Sequence, residues 1–199
     1  MASLATVADL ILARHGETDW NAERRFQGHA DPPLNAKGLA QAEALAERLA
    51  GRDLTAIYSS DLRRAAQTAA VVGDRLGLAV VKLPALREID VGEWSGLTVA
   101  EVIERYPGGY ARHRAGGDGW TAGETHAQLT ERIVRAASEI AREHPAGAIL
   151  VVAHGAALRA LLAHAEGIDL SEFRRNSAPI ENGAVATIAI EDGRVRRLD

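Results

Sequence analysis

Leu10-Ile11-Leu12-Ala13-Arg14-His15-Gly16-Glu17-Thr18-Asp19-Trp20-Asn21 decides how the rest of this chain is read. Its apolar run begins at Val7, is broken only by Asp9, and stops at Arg14-His15-Gly16. A short apolar run closed by glycine predicts a buried strand. In an open α/β sheet, ligands sit just beyond the carboxyl ends of the strands. A guanidinium and an imidazole at that point are therefore placed for chemistry. The pattern returns far downstream, where Ala148-Ile149-Leu150-Val151-Val152-Ala153 is followed by His154-Gly155. If the two strands are parallel neighbours, the two His-Gly corners meet.

Composition narrows the classes. The chain has 199 residues, enough for one domain with a sizeable core and short for two. A single domain over residues 1–199 is expected, with a lid-like insertion at about 90–123. Hydrophobic residues make up 47% and charged residues 25%, the balance of an ordinary soluble globular protein. The net charge of −4 offers no global basic field for nucleic acid, so any anion site has to be locally positive. There is no cysteine, which excludes disulfides and thiolate metal sites. The N-terminal MASLATVADLILA has no basic start and reads as the lead-in to a strand, not as a signal peptide. No apolar run is long enough to span a bilayer. The expectation is a cytoplasmic protein, monomeric or homodimeric, with no membrane and no nucleic-acid partner.

Strands and helices alternate along the chain. Gly16 to Pro33 is polar and irregular, as loops that carry sites commonly are. Asn35 is a candidate N-cap for a helix to about Ala50, with Ala42, Leu45, Ala46 and Leu49 on one face and Gly51 as its end. Ala56-Ile57-Tyr58 is a short strand, and Asp61 is placed to cap a helix that stops at Gly77. Arg63 and Arg64 fall in the first turn of that helix, where the dipole disfavours cations by roughly 0.3–1 kcal/mol each. An anion bound there would reverse the penalty; otherwise both side chains point to solvent. Leu78 to Leu83 is a further strand, Leu86 to Trp94 is extended or looped, and Thr98 to Tyr106 is a short helix.

Next comes PGGYARHRAGGDGWTAGE, with six glycines between Gly108 and Gly123. It reads as an irregular lid or specificity loop carrying Arg112, His113 and Arg114, or else as a flexible insertion. Arg112 and Arg114 are the side chains expected to set substrate choice. Thr121-x-x-Glu124 and Thr125-x-x-Gln128 both match capping-box spacing ahead of a long helix whose buried stripe is Leu129, Ile133, Ala136 and Ile140. A helix at Ala157 to Ala165 follows the second His-Gly strand. A hairpin over Ala184 to Ile190 and Arg194 to Leu198 closes the chain, turning at Asp192-Gly193. The alternation argues an α/β protein with helices on both faces of the sheet.

Four blocks in this order, RHGETDWN, SSDLRRAAQT, LREIDVGEWSGLT and VVAHG, resemble the histidine phosphatase superfamily, the phosphoglycerate-mutase-like proteins. RHG alone would be weak; the four together, with GET at Gly123 to Thr125, extend the likeness over nearly the whole chain. The resemblance implies a three-layer α/β/α sandwich around a mixed, largely parallel sheet. It implies that His15 is a nucleophile forming a phosphohistidine, and that Arg14 and Arg64 hold phosphate oxygens. It further implies that His154 donates to the equatorial oxygens, and that Glu88 protonates the leaving group and then activates water. Asn21, Gln27, Gly28 and the backbone at Gly155 are implied substrate or phosphate contacts.

The chemistry agrees with these assignments. Phosphoryl transfer needs positioned positive charge, an in-line nucleophile and a protonated leaving oxygen. Guanidinium groups present paired donors and stay charged. A nucleophilic imidazole has to keep one nitrogen free, and a carbonyl bonded to the other nitrogen would fix that tautomer.

Departures from the family pattern point to its phosphatase branch. REIDVG stands where the glycolytic mutases carry an ERHYG-like segment, and Phe26-Gln27-Gly28-His29 stands where they carry FxGW. Ser95 and Ala153 replace a glutamate and a serine common in those motifs, without loss of a chemical role. The leading expectation is a phosphomonoesterase acting on a small phosphorylated metabolite, with no metal and no cofactor. A cofactor-dependent phosphoglycerate mutase is the alternative. A non-catalytic phospho-ligand binder is disfavoured by the complete set of two histidines, two arginines and an acid. A metallohydrolase is disfavoured because the arginines would repel the metal and no H-x-x-x-H pair occurs. His29, His113, His126, His144 and His164 read as structural or surface residues, with His29 the one nearest to the expected site. Asp90 and Glu93 read as surface acids, Glu93 lying closer to the pocket.

Overall fold

The computed structural model describes residues 7–191 and 194–198. The expected turn at Asp192-Gly193 and the lead-in ahead of Val7 lie outside the described residues. In chain order the elements are β1 (Val7–Arg14), α1 (Asp19–Ala22), α2 (Ala36–Leu49), β2 (Leu54–Ser59), α3 (Arg63–Leu76) and β3 (Val80–Lys82). Then follow two 3₁₀ turns, Pro84–Leu86 and Gly92–Trp94, and the helices α4 (Val99–Arg105), α5 (Pro107–Arg114) and α6 (His126–Glu143). The chain closes with β4 (Gly147–Ala153), α7 (Gly155–Glu166), α8 (Leu170–Asn176), β5 (Val185–Glu191) and β6 (Arg194–Arg197).

The sheet order is β3-β2-β4-β1-β5-β6. β3, β2, β4 and β1 are parallel, while β5 runs antiparallel to β1 and β6 antiparallel to β5. The two His-Gly strands are therefore parallel neighbours, in a register that sets Arg14 opposite Ala153. Because side chains alternate along a strand, the sheet has two cores. Leu10, Leu12, Ile149 and Val151 pack on α6 and α7 through Leu129, Ile133, Leu158 and Leu161. Ile11, Ala13, Leu150 and Val152 pack on α2 and α3 through Leu45, Leu49, Ala69 and Val72. Burial of each such aliphatic side chain contributes about 1.5–3 kcal/mol. The result is the expected three-layer α/β/α sandwich. After β1 the chain leaves to α2 on one face; after β4 it leaves to α7 on the other. That divergence opens a crevice beyond the carboxyl ends of β1 and β4, a topological switch point.

Local chemistry explains most boundaries. The Asn35 side chain accepts from Gly38 N at 2.8 Å to start α2. Thr125 and Gln128 form the capping box of α6. Gly77, at φ 69°, ends α3 in the left-handed conformation that lacks a Cβ penalty.

Several expectations are corrected. Asp61 does not cap α3: its carboxylate pairs with Arg87 at 2.7 and 2.5 Å, and Asp31 accepts the Arg63 N–H instead. The expected strand over Leu78 to Leu83 is only β3. Thr121 and Glu124 form no capping box, because Thr121 bonds Glu93 and Glu124 pairs with Arg132. Residues 107–114 are helical rather than irregular. Pro107 at the helix start tolerates its missing N–H. Gly109 lets the helix backbone close on Trp94 and Gly119, where a Cβ would lie 2.5 Å from the Gly119 carbonyl oxygen. The short helices α1 and α8 had no counterpart in the sequence reading.

Candidate active site

His15 follows β1, and its backbone N–H donates to Ala153 O at 3.0 Å, extending the strand pairing by one step. The loop then turns against α2 through two glycines. A Cβ on Gly16 would lie 2.3 Å from Gly38 O, and one on Gly38 would lie 2.1 Å from Glu17 O. Neither position accepts a side chain without the loop moving. Gly16 N donates to Thr68 Oγ1 at 3.0 Å, and Thr68 Oγ1 donates to Arg64 O at 2.8 Å. One hydroxyl thus ties the His15 loop to α3.

The His15 ring is buried, and its Nδ1 lies 2.7 Å from Gly16 O. A carbonyl can only accept, so Nδ1 carries the hydrogen and the Nε2 lone pair is free. Burial, then the charges of Arg64 and Arg14, hold the imidazole well below its ordinary pKa, and the Gly16 bond only partly opposes them. His154 occupies the N-cap position of α7 without a side-chain capping bond, is fully buried, and lies with its ring centre 5.1 Å from that of His15. Burial, and then Arg64, likewise keep it well below its usual range. Neither of its ring nitrogens has a protein partner. Both imidazoles are neutral at neutral pH.

Arg64 is fully buried and is held as a fork: Nη1 donates to Ala30 O at 2.7 Å and Nη2 to Gly28 O at 2.9 Å. Desolvation brings its pKa down to about 10, so it stays charged at neutral pH. The solvent-facing alternative for Arg64 is overturned, whereas Arg63 is exposed. Gly28 is required at its position by φ 51° and by the approach of Val91, whose Cγ2 would lie 2.8 Å from a Cβ there. Arg14 Nη1 donates to Ile180 O at 2.5 Å, and its Nε is buried without a partner.

Glu88 sits at the start of α7. It accepts from the backbone N–H groups of Ala156 at 3.1 Å and Ala157 at 3.2 Å. Gly155 separates it from Arg14. A Cβ there would lie 3.6 Å from Arg14 Cζ and 3.8 Å from Glu88 Oε2, filling the gap between cation and acid.

The remaining expected residues line the same cavity, of about 260 Å³. Gln27 Oε1 is buried without a partner. Asn21 accepts from Thr18 N at 3.1 Å through Oδ1, which leaves its amide hydrogens for the cavity. His154 is not among the lining residues; fully buried, it reaches the cavity only through its contact with the His15 ring. A buried guanidinium, a half-buried one, a helix start and two neutral imidazoles make a nest for a tetrahedral dianion, with a free nitrogen on one side and a carboxyl group nearby. Among the described residues no group of histidine, aspartate and glutamate is arranged to hold a metal, and no helix is long and apolar enough to cross a membrane.

Other residues meet at this cavity, some from the expected lid segment and some with no expected role. His113, Trp120 and His126 line it, as do Arg159 and Arg174. Arg112 and Arg114 do not: Arg112 donates to Asp118 O and Gly119 O and clasps its own loop. Glu93 is also structural, binding Thr121 N at 2.7 Å and Ala122 N at 3.1 Å. His29 lies at the rim of this region, its Nε2 2.9 Å from Glu88 O. Arg159 was detectable in principle, since it lies four residues after Gly155 on the helix that begins at the site. Arg174 was not, because α8 itself had gone unread.

The family model of the histidine phosphatase superfamily (branch 1) matches residues 10–198. Phosphoserine phosphatase 1 of Hydrogenobacter thermophilus is 36% identical over 190 residues, covering 93% of this chain and 88% of that protein. A probable phosphoglycerate mutase GpmB of an Enterobacter species is 38% identical over 169 residues, covering 83% of this chain and 78% of that protein. The solved structure of a mycobacterial glucosyl-3-phosphoglycerate phosphatase with VO3 superposes with a TM-score of 0.87 at 31% identity, covering 95% of this chain and 96% of that one.

Proposed function

The chain belongs to branch 1 of the histidine phosphatase superfamily, and from that premise we propose that it is a phosphomonoesterase that hydrolyses a small phosphorylated metabolite through a phosphohistidine on His15. One observation carries this reading. A buried imidazole, neutral and fixed by Gly16 O, keeps its Nε2 lone pair free beside two guanidiniums.

In the first half-reaction His15 Nε2 attacks phosphorus and the phosphorus–oxygen bond to the leaving alcohol breaks. Glu88, as the acid, gives its proton to that oxygen. In the second, water attacks the phosphohistidine, Glu88 takes the water proton, and the phosphorus–nitrogen bond breaks. The net reaction consumes one ester and one water and returns one alcohol and one phosphate. Arg14, Arg64 and His154 stabilise charge on the three equatorial oxygens, a role in which loss of one donor typically costs about 10²–10³-fold. Asn21, Gln27, Gly28 and Gly155 shape the phosphate end. The segment at about 90–123, which contributes His113 and Trp120 to the cavity, caps the far end as a lid-like insertion on a single domain. Arginine supplies the positive charge, so no metal and no cofactor is required.

The runner-up is a mutase, supported by the likeness to probable phosphoglycerate mutases. It differs only in what accepts the phosphoryl group. A coupled assay for exchange between 2- and 3-phosphoglycerate, primed with bisphosphoglycerate, run beside release of inorganic phosphate with and without EDTA, separates the two. Phosphate release that survives EDTA, without exchange, supports the phosphatase. Primed exchange that outruns phosphate release reverses the assignment, and loss of activity in EDTA that a divalent ion restores removes the metal-independent mechanism.

A further inference from the structure

We propose that Arg159 and Arg174 form a second anion subsite in the same cavity, one built for a carboxylate, so that the preferred substrate is a small phosphomonoester whose alcohol carries a carboxylic acid. This rests on the phosphomonoesterase reading above and extends it to the substrate.

Five arginines line the cavity, Arg14, Arg25, Arg64, Arg159 and Arg174, against a single carboxylate, Glu88. Arg25 is neutralised outside the cavity by Glu23 and Glu101. Arg14 and Arg64 belong to the phosphate end and both feel Glu88. Arg159 and Arg174 are half-buried, and among the described residues neither has a carboxylate within ion-pair distance. The Arg159 charge also bears on Arg174. Two adjacent, half-buried, unpaired guanidiniums are unfavourable unless an anion joins them.

Both side chains are held in place. Arg174 Nη1 donates to Gly116 O at 3.1 Å and to His126 Nε2 at 2.7 Å, and Nη2 reaches the His113 ring. His126 is fixed in turn by Asp118, which engages its Nδ1. Asp118 is thereby committed to His126 and leaves Arg174 without an acid of its own. Arg159 Nη2 donates to the carbonyls of Arg174 and Ser177, while its Nε is buried without a partner. A planar guanidinium with an open edge fits a planar carboxylate. Arg159 lies one turn beyond Gly155 on α7, about 6 Å along the helix axis, so a few bonds separate phosphate from carboxylate.

The test uses a matched pair, 3-phosphoglycerate and glycerol 3-phosphate, which differ in a carboxylate against a hydroxymethyl group. Their dissociation constants are measured by calorimetry on His15→Ala protein, where no turnover interferes. A charge-assisted pair predicts about ten- to hundredfold tighter binding of 3-phosphoglycerate. Arg159→Gln should bring the ratio close to one, and Arg159→Lys should keep part of it. Arg112→Gln, outside the cavity, should keep all of it. Equal affinities for the pair, no measurable binding of either, or an unchanged ratio in Arg159→Gln overturns the subsite. Hydrolysis by the native enzyme is scored separately. A carboxylate preference without phosphate release removes the catalytic reading and leaves the subsite standing. Phosphate release without the preference does the reverse.

Discussion

The backbone N–H of His15 donates to the carbonyl oxygen of Ala153 at 3.0 Å, which locks the residue that would take the phosphoryl group in step with the strand that ends just before His154. The two imidazoles owe their meeting to strand register. Their burial beside Arg14 and Arg64 has a cost that depends on pH.

Both rings are neutral and well below their ordinary pKa in the folded protein, whereas the unfolded chain titrates near 6.5. Above that pH neither state gains protons and the term is silent. Below it the unfolded chain binds protons that the folded protein refuses, so stability falls by about 1.4 kcal/mol per pH unit per histidine. His113, pushed down to about 3 by burial and Arg174, acts in the same direction. The melting temperature should therefore drop steeply between pH 6.5 and 5, and His154→Asn should make that drop shallower. An equal slope in the variant means that His154 is not buried as the neutral form.

Arg64→Lys keeps a positive charge but cannot bridge Gly28 O and Ala30 O as a fork. We predict a loss of about 10²–10³-fold in kcat/KM, the usual scale for one lost oxyanion donor, together with a lower melting temperature. Activity within threefold of the native enzyme would show that charge alone suffices at this position.

Thr68 is a positioning residue, since it accepts from Gly16 N and donates to Arg64 O. Thr68→Val leaves a buried N–H unsatisfied, at about 1–3 kcal/mol, and frees the loop that supplies the carbonyl fixing His15. The expected signature is a fall in kcat larger than any rise in KM, with partial rescue in Thr68→Ser. A pure loss of stability with kcat intact would make the hydroxyl merely structural.

How far the site could be read from sequence depended on the range of the interaction. The apolar runs at Val7–Ala13 and Ala148–Ala153, each followed by a His-Gly corner, were legible as strands, and the meeting of His15 with His154 hung on a parallel pairing that the register supplies. Asn35 and Gly77 are local signals, and both acted as expected. Asp61 failed as a cap because a long-range partner, Arg87, held its carboxylate. The glycine-rich 107–123 segment misled because Gly109 serves close packing on Trp94, a tertiary fact with no local trace. Arg112 looked like a specificity residue by its charge, yet it clasps backbone carbonyls, while Arg159 and Arg174 reach the cavity from helices far along the chain.

Glu88 should matter in proportion to how badly the leaving oxygen needs a proton. General acid catalysis contributes about 10²–10⁴-fold where it does. Glu88→Gln should slow single-turnover phosphorylation severely with a glycerate or sugar phosphate and much less with p-nitrophenyl phosphate, whose phenolate leaves unaided. Equal slowing with both substrates would move the acid elsewhere.

The central claim is tested most directly by rapid quench with phosphorus-labelled substrate, followed by mapping of the labelled residue. The account predicts an acid-labile, base-stable adduct on His15 that forms and decays fast enough to carry turnover, and that is absent from His15→Ala. Label on another residue, or undiminished turnover in His15→Ala, would contradict it.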